Sequence, residues 1–147
     1  MKITQILRAE HSVFHNLFDH IETVASQVRT LAEVKLLAAT MEALHRGHSQ
    51  TEDELFIEPL EHCFEQIGHR ETFHDEHDKI DCALMEVNKT RNLKKARKLL
   101  LDAVAASRKH FDKEERIVFP LAERVLKART LLELGDKWMK RREAFGK

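Results

Sequence analysis

Residues 110–121 read His-Phe-Asp-Lys-Glu-Glu-Arg-Ile-Val-Phe-Pro-Leu, and residues 48–60 repeat the pattern as His-Ser-Gln-Thr-Glu-Asp-Glu-Leu-Phe-Ile-Glu-Pro-Leu. In each stretch a histidine is followed four residues later by a glutamate, and a proline closes the run. Side chains four residues apart on a helix lie on one face, about 5–6 Å apart at Cβ. An imidazole nitrogen and a carboxylate oxygen at this spacing are able to bind the same metal ion.

The composition around these stretches predicts a single helical domain. The chain has 147 residues, with only four glycines and two prolines, and Leu, Ala, Glu, Lys and Arg dominate. That length fits one domain, and those residues favour helices over the many turns of a β fold. We therefore predict an all-α domain over residues 1–147. Its core spans about residues 4–125, and a C-terminal helical tail spans about 126–147.

Charge and cysteine usage narrow the class of protein. The 25 basic and 25 acidic residues balance, so no overall field draws the chain to nucleic acid or to a membrane. No apolar run reaches the roughly 18–20 residues of a membrane span, and a signal-peptide core is absent from the N-terminus. Cys63 and Cys82 are read as free thiols in a reducing cytoplasm. We therefore expect a cytoplasmic protein. Its ten histidines are the compositional anomaly.

Hydrophobic periodicity predicts four long helices, at about residues 4–29, 31–57, 70–88 and 93–118. Thr4 is the predicted N-cap of the first helix, and Thr130 that of a last helix in the tail. The apolar stripe of the fourth helix includes Ile117. We expect the tail to pack as a lid on one end of the bundle. Trp138 in the tail either caps the core or forms a dimer face, so monomer and homodimer both stay open.

Each long helix carries one histidine on or beside its apolar stripe, and the second and fourth also carry a glutamate one turn later. A four-helix bundle, antiparallel and up-down, brings these side chains into one central layer. Buried carboxylates cost several kcal/mol unless a charged or hydrogen-bonding partner meets them, so we predict that the layer binds one or two divalent cations. The six predicted metal ligands are His11, His48, Glu52, His77, His110 and Glu114.

The donor types indicate which metals to expect. Nitrogen and oxygen donors without thiolate favour iron, manganese or zinc over copper(I) or an iron–sulfur cluster. Two carboxylates that are each able to bridge, with imidazoles on both sides, favour a pair of metal ions. Di-iron carboxylate bundles share this plan but are usually richer in glutamate.

With these motifs the chain resembles the hemerythrin-like family, also called the HHE cation-binding domain, over about residues 4–125. The resemblance implies two iron ions with an oxo or hydroxo bridge, with zinc or manganese as alternatives. It also implies a small-molecule ligand, which is dioxygen, nitric oxide or peroxide. By position it assigns one iron to His11 and His48. The other iron falls to His77 and His110, with Glu52 and Glu114 bridging the two.

Two positions depart from the pattern of the oxygen-carrying hemerythrins. Those proteins typically have a further histidine four residues before His77, where this chain has Phe73. Its absence argues against reversible oxygen carriage and predicts a more open iron environment. Their fourth-helix carboxylate typically lies five residues after the histidine, where Glu115 stands. Helical phase favours Glu114 instead, unless a bulge before Pro120 shifts the register.

The remaining histidines and two further glutamates have other expected roles. His15 and His74 are the candidates to supply the missing ligand. Glu10 and Glu76 are expected to hydrogen-bond a ligand imidazole and raise its basicity. His45 is expected to be partly exposed. Three other histidines are expected on the surface: His20, His62 and His69.

Three functions compete at this point. The first is a di-iron module that binds dioxygen, nitric oxide or peroxide for sensing, storage or stress response. The second is an enzyme or defence protein that uses the same site for peroxide turnover or for the repair of iron centres. The third is a metal-free helical interaction protein. We favour a metal- and oxygen-binding protein over a dedicated enzyme.

Overall fold

The computed structural model describes residues 1–63 and 70–145, and these ranges contain helices and no β-strand. This agrees with the predicted all-α class. None of the helices in these ranges is long and apolar enough to cross a bilayer. The α-helices in chain order are α1 (Ile3–Ala25), α2 (Leu31–Glu52), α3 (Arg70–Lys89), α4 (Leu93–Lys113), α5 (Phe119–Val125) and α6 (Ala128–Phe145).

The helix starts show how local hydrogen bonds set the boundaries. Thr30 caps α2, because its hydroxyl accepts from the Glu33 backbone N–H while the Glu33 carboxylate accepts from the Thr30 backbone N–H. The prediction of Thr4 as the N-cap of α1 was wrong, because the helix begins one residue earlier and the Thr4 hydroxyl donates to Glu123 at 2.7 Å. The prediction for Thr130 was also wrong, because α6 already begins at Ala128.

Both His-x-x-x-Glu stretches run into a π-helical segment, which begins one residue after the glutamate in the first stretch and at the glutamate itself in the second. The segments are Asp53–Ile57 after α2 and Glu114–Val118 after α4. Pro59 lies in the short 3₁₀ helix Glu58–Leu60, and Pro120 in the first turn of α5, where its missing N–H costs nothing. A π turn holds an extra residue and rotates the next part of the helix about its axis. Ile117, which was predicted to be buried, is therefore 41% exposed.

Two apolar clusters lie on either side of the predicted histidine positions. Phe111 belongs to one cluster and Phe119 to the other. The His11 ring stacks on both phenylalanines, at centroid distances of 4.0 and 5.4 Å. The polar centre is therefore enclosed by apolar packing above and below, which excludes water and strengthens electrostatic interactions inside it.

The C-terminal helix α6 packs against α1 and against the π segment that follows α2. Trp138 is fully buried in one of the two apolar clusters. Gly135 allows the close approach, because a Cβ at this position would lie 2.1 Å from the backbone oxygen of Met1. The tail is thus joined to the start of the chain through tight backbone contact.

Candidate metal centre

Four buried histidines, one from each of α1 to α4, lie together between the apolar clusters, and we call them the histidine layer. None of the four is more than 5% exposed. The layer comprises two ring pairs, with centroids 5.2 Å apart in the first and 4.5 Å apart in the second. The first pair is His11 with His48, and the second is His77 with His110.

Glu52, the last residue of α2, points into the histidine layer with its side chain fully buried. Its Oε2 lies 3.8 Å from Nε2 of His48 and 3.7 Å from Nε2 of His77. Glu52 therefore stands between one histidine of the first pair and one of the second.

Glu114, the first residue of the π segment after α4, makes the matching contacts on the other side. Its Oε2 lies 3.3 Å from Nε2 of His11, and its Oε1 lies 2.8 Å from Nε2 of His110. Each histidine pair forms a group with the two glutamates. Each of the four residues in a group offers one ligand atom, and these four atoms lie within 4.8 Å of one another. Both glutamates belong to both groups, so each carboxylate is placed to serve two ions.

Buried polar atoms without a hydrogen-bond partner concentrate at this centre, as judged over the described part of the chain. They include both carboxylate oxygens of Glu52 and of Glu114, and Nε2 of His11 and of His48. The Glu114 oxygens are close to two imidazoles, but their contacts lack hydrogen-bond geometry. Unpartnered buried carboxylates cost several kcal/mol, and a divalent cation would supply the missing partner. The donor set therefore fits a metal.

The pKa shifts of the two glutamates also indicate that the centre lacks positive charge. Burial and the nearby charge of Glu114 raise the pKa of Glu52 well above its usual range. Burial also acts to raise the pKa of Glu114, but the imidazoles of His110 and His11 outweigh it and hold that pKa well below its usual range. These opposite shifts favour the neutral form of Glu52 and the ionised form of Glu114.

His110 carries the compensating proton. Burial lowers its pKa, but the carboxylates of Glu114 and Glu76 outweigh burial and raise that pKa to about 9. His110 is therefore cationic at neutral pH when no metal is bound. Its Nε2 lies 2.7 Å from Nε2 of His77, a separation that requires a proton between the two nitrogens. A bound cation would take the place of that proton.

A carboxylate faces the outer ring nitrogen, Nδ1, of every histidine in the layer. A carboxylate only accepts hydrogen bonds, so a bonded Nδ1 carries the hydrogen and the Nε2 lone pair stays directed inward, as a metal requires. The hydrogen-bonded distances are 2.9 Å for His11 with Glu115, 2.7 Å for His48 with Glu10 and 2.6 Å for His110 with Glu76. Nδ1 of His77 lies 3.5 Å from Asp53 without forming a hydrogen bond.

The family comparison gives an independent result. The model of the hemerythrin HHE cation-binding domain matches residues 2–122. The chain belongs to this family. Searches among the curated proteins and among the solved structures found no significant match. Family membership and the buried cluster of histidines and glutamates together indicate that this hemerythrin-family domain binds metal.

Several residues predicted as further ligands of the hemerythrin centre lie outside the two four-atom groups. Glu115 is one-third exposed, and it contacts His11 from the outer side. Nδ1 of His15 lies 2.9 Å from a guanidinium nitrogen of Arg108. His74 is about half exposed and lies 3.7 Å from Asp53. Glu114, at the first position of its π segment, still points into the histidine layer. The inward carboxylate therefore lies four residues after His110 and not five.

Sequence reasoning missed Asp53 and considered Glu115 only as a metal ligand, but a signal for the outer position of both existed. An acidic residue directly follows each glutamate of the two motifs, Asp53 after Glu52 and Glu115 after Glu114. The structure places Asp53 and Glu115 on Nδ1 of histidines from neighbouring helices. The repeated acidic pair was therefore the available clue.

His45 was predicted to be partly exposed, and this was wrong. Its side chain is fully buried, Nδ1 lies 3.1 Å from Asp81, and its ring lies 5.7 Å from that of His77. Asp81 comes from α3, so the periodicity of α2 alone gave no sign of it. His20 and His62 are exposed as expected, and His69 lies outside the described residues.

An open pocket of about 400 Å³ reaches the histidine layer of the hemerythrin domain from outside. Its lining is largely apolar, with Val13 and Phe14 from α1 and Leu44 from α2. His48 also lines the pocket, together with Glu10. A small molecule that enters here meets a ring of the metal centre.

Proposed function

We propose that this protein is a hemerythrin-like di-iron protein that binds dioxygen or a related small ligand, nitric oxide or peroxide, for sensing, storage or stress response. The observation that carries the proposal is the pair of four-atom groups that share Glu52 and Glu114. Each group contains two imidazole nitrogens and two carboxylate oxygens. Two cations held in this way would each be bound by four protein atoms, with both carboxylates as bridges.

The donor chemistry supports iron, with manganese and zinc as the alternatives. Nitrogen and oxygen donors without thiolate are typical of these metals. Four protein atoms per ion leave open coordination positions, as in non-haem iron sites that take small ligands. Phe73 is fully buried with its ring 5.9 Å from that of His110, so an apolar side chain stands where oxygen carriers have a further histidine.

Bound iron would supply the coordination site and the electrons for a small ligand, and the protein supplies orientation and proton control. Glu10 and Glu76 hold the imidazoles of His48 and His110 with Nε2 inward. Cation binding would require the ionised form of Glu52 and the neutral ring of His110. The apolar lining of the pocket beside His48 favours the entry of a weakly hydrated diatomic molecule.

We further propose that α1 to α4 form an antiparallel up-down bundle. Short connections favour antiparallel neighbours, and only residues 26–30 join α1 to α2 and residues 90–92 join α3 to α4. Each of the four helices contributes one histidine to the same layer. That arrangement supports the proposed topology.

Metal content and an optical spectrum test the proposal directly. Protein produced with added iron and purified without chelator should contain about two iron ions per chain, as the two four-atom groups require. When oxygen is added to the anaerobic, iron-loaded protein, a new absorption band should appear. Glu52→Ala should lose most of the iron, whereas Glu54→Ala is the matched control because Glu54 is more than half exposed. Protein without stoichiometric metal, or equal iron in both variants, would contradict the proposal.

The same samples distinguish ligand binding from turnover. If the site only binds, the band that oxygen induces should disappear on deoxygenation and peroxide should not be consumed catalytically. Sustained peroxide consumption that Glu52→Ala abolishes, and Glu54→Ala leaves intact, would identify an enzyme instead. Nitric oxide added to the ferrous protein tests the third ligand of the class.

A further inference from the structure

His45 is a fifth buried histidine next to the histidine layer. It lies one turn before His48 on α2, and its side chain is fully buried. Nδ1 lies 3.1 Å from the carboxylate of Asp81, while Nε2 is buried and has no hydrogen-bond partner. Because the carboxylate accepts, Nδ1 carries the hydrogen, and Nε2 of the neutral ring has an unused lone pair.

This arrangement matches that of two histidines in the layer, His11 and His48. Each has Nδ1 hydrogen-bonded to a carboxylate and Nε2 without a hydrogen-bond partner. Carboxylate–imidazole pairs of this kind fix the tautomer and raise the basicity of an imidazole that binds metal. A buried histidine with only a structural role would be expected to satisfy both ring nitrogens.

The unpartnered buried atoms of the described chain concentrate at the same centre. Most of them belong to residues of the layer, to its two glutamates or to Asp53. Two atoms fall outside that set, Nε2 of His45 and Nε of Arg97. Arg97 makes its contact with the backbone of Val28, away from the centre, whereas the His45 ring packs at 5.7 Å against the ring of His77.

We propose that His45 is a fifth imidazole ligand of the metal pair, bound to the ion held by His77 and His110. The inference rests on the proposed di-metal function. Its ring lies 5.7 Å from that of His77, close to the 5.2 Å between His11 and His48, which share a ligand group. A metal ion would satisfy the lone pair that the protein leaves buried. The protein would thus replace the third-helix histidine, absent at Phe73, with one from α2.

Cobalt(II) titration of the apo-protein under anaerobic conditions tests this assignment, because the visible spectrum of cobalt reports its ligands. Wild type should bind about two cobalt ions per chain, one for each four-atom group. The second ion is the one held by His77 and His110. His45→Phe should weaken its binding by about 10–100-fold and change the cobalt spectrum. His20→Phe is the matched control, because His20 is exposed on α1.

Asp81→Asn separates ligation from packing without removing the ring. The amide lacks the negative charge that raises the basicity of the ring, and where its nitrogen donates to Nδ1 the ring proton moves to Nε2 and occupies the lone pair. The buried ring keeps its volume, and Asp81 is one-third exposed, so the fold should tolerate the change. We expect weakened binding of the second ion and an altered cobalt spectrum here too. If His45→Phe does not fold, as judged by apo-protein melting, Asp81→Asn decides the question.

The outcomes are distinct. Wild-type affinity and spectrum in Asp81→Asn, and in His45→Phe if it folds, would overturn the ligand role of His45 and leave the di-metal proposal standing. Wild-type protein that binds no cobalt would overturn both. Loss of the second ion in Asp81→Asn and in folded His45→Phe, with His20→Phe unchanged, would support His45 as a ligand.

Discussion

Replacing Glu10 with glutamine removes the carboxylate that joins the metal centre to the C-terminal helix. Glu10 accepts from Nδ1 of His48 at 2.7 Å and from the indole N–H of Trp138 at 2.8 Å. It also accepts two hydrogen bonds from the guanidinium of Arg142, at 2.8 and 2.9 Å. Burial acts to raise the pKa of Glu10, but these donors outweigh it and lower that pKa to about 2. The pKa shift shows that they stabilise the ionised form.

The expected loss of stability depends on the partner that each donor finds in the variant. Glutamine keeps one acceptor oxygen, but Trp138 and His48 bond different oxygens of Glu10, so one of these two buried donors loses its acceptor, at about 1–3 kcal/mol. The other donor exchanges a charged acceptor for a neutral one, worth roughly another 1 kcal/mol. Arg142 is about one-quarter exposed and regains water, so its share is below about 1 kcal/mol. Glu10→Gln should therefore destabilise the apo-protein by about 2–4 kcal/mol, and weaken metal binding by about 10–100-fold.

Urea unfolding of the apo-protein, followed by far-UV circular dichroism, measures the first quantity. Trp138 is the single tryptophan of the chain, so its fluorescence reports the docking of α6 separately. Glu143→Gln is the matched control, because Glu143 is exposed on α6. A double-mutant cycle with Arg142→Gln isolates the coupling between Glu10 and α6. A Glu10→Gln protein within about 0.5 kcal/mol of wild type, with unchanged metal affinity, would refute the reasoning.

The metal centre and its surrounding contacts lead to three further predictions. Chelation of the iron-loaded protein should lower its melting temperature by about 5–10 °C in a calorimetric scan, since a ligand at 100 times its Kd adds roughly 2.7 kcal/mol. Metal affinity, measured by competition with a chromophoric chelator, should rise from pH 6 to pH 9, because His110 must lose the proton that its raised pKa of about 9 retains. Gly135→Ala should lower the urea midpoint, because its Cβ would lie 2.1 Å from a backbone oxygen, whereas Gly47→Ala, with its nearest atom at 3.8 Å, should not.

The acidic side of the pH profile has a definite sign in the apo-protein. Hydrogen bonds from His110 and Lys113 outweigh burial and lower the pKa of Glu76 from 4.5 to about 2. A carboxyl group with a depressed folded-state pKa stabilises the fold above its unfolded pKa, and that contribution is lost as pH falls through the folded value. Urea midpoints should therefore decline between about pH 4.5 and pH 2. Glu76→Gln should show a smaller decline over that interval.

The buried cluster of histidines and glutamates was predictable because it depends on one periodicity. A histidine and a glutamate four residues apart share a helix face whatever surrounds the helix, so Glu52 and Glu114 pointed inward as their spacing required. The π segments were harder to foresee, because they depend on how the chain relaxes before a proline. Ile117 was misplaced for that reason, although Glu114, at the first position of its segment, was not affected.

Contacts between helices explain the remaining errors. The burial of His45 depends on Asp81, which approaches from a different helix, and no pattern within α2 encodes that meeting. Asp53 and Glu115 show that a contact between helices is nonetheless visible in the sequence when it occurs in both motifs. Glu10 and Glu76 each precede a layer histidine, yet each bonds the histidine of the following helix, His48 or His110. Residues adjacent in sequence thus serve different imidazoles, because a helix turns about 100° per residue and consecutive side chains face different neighbours.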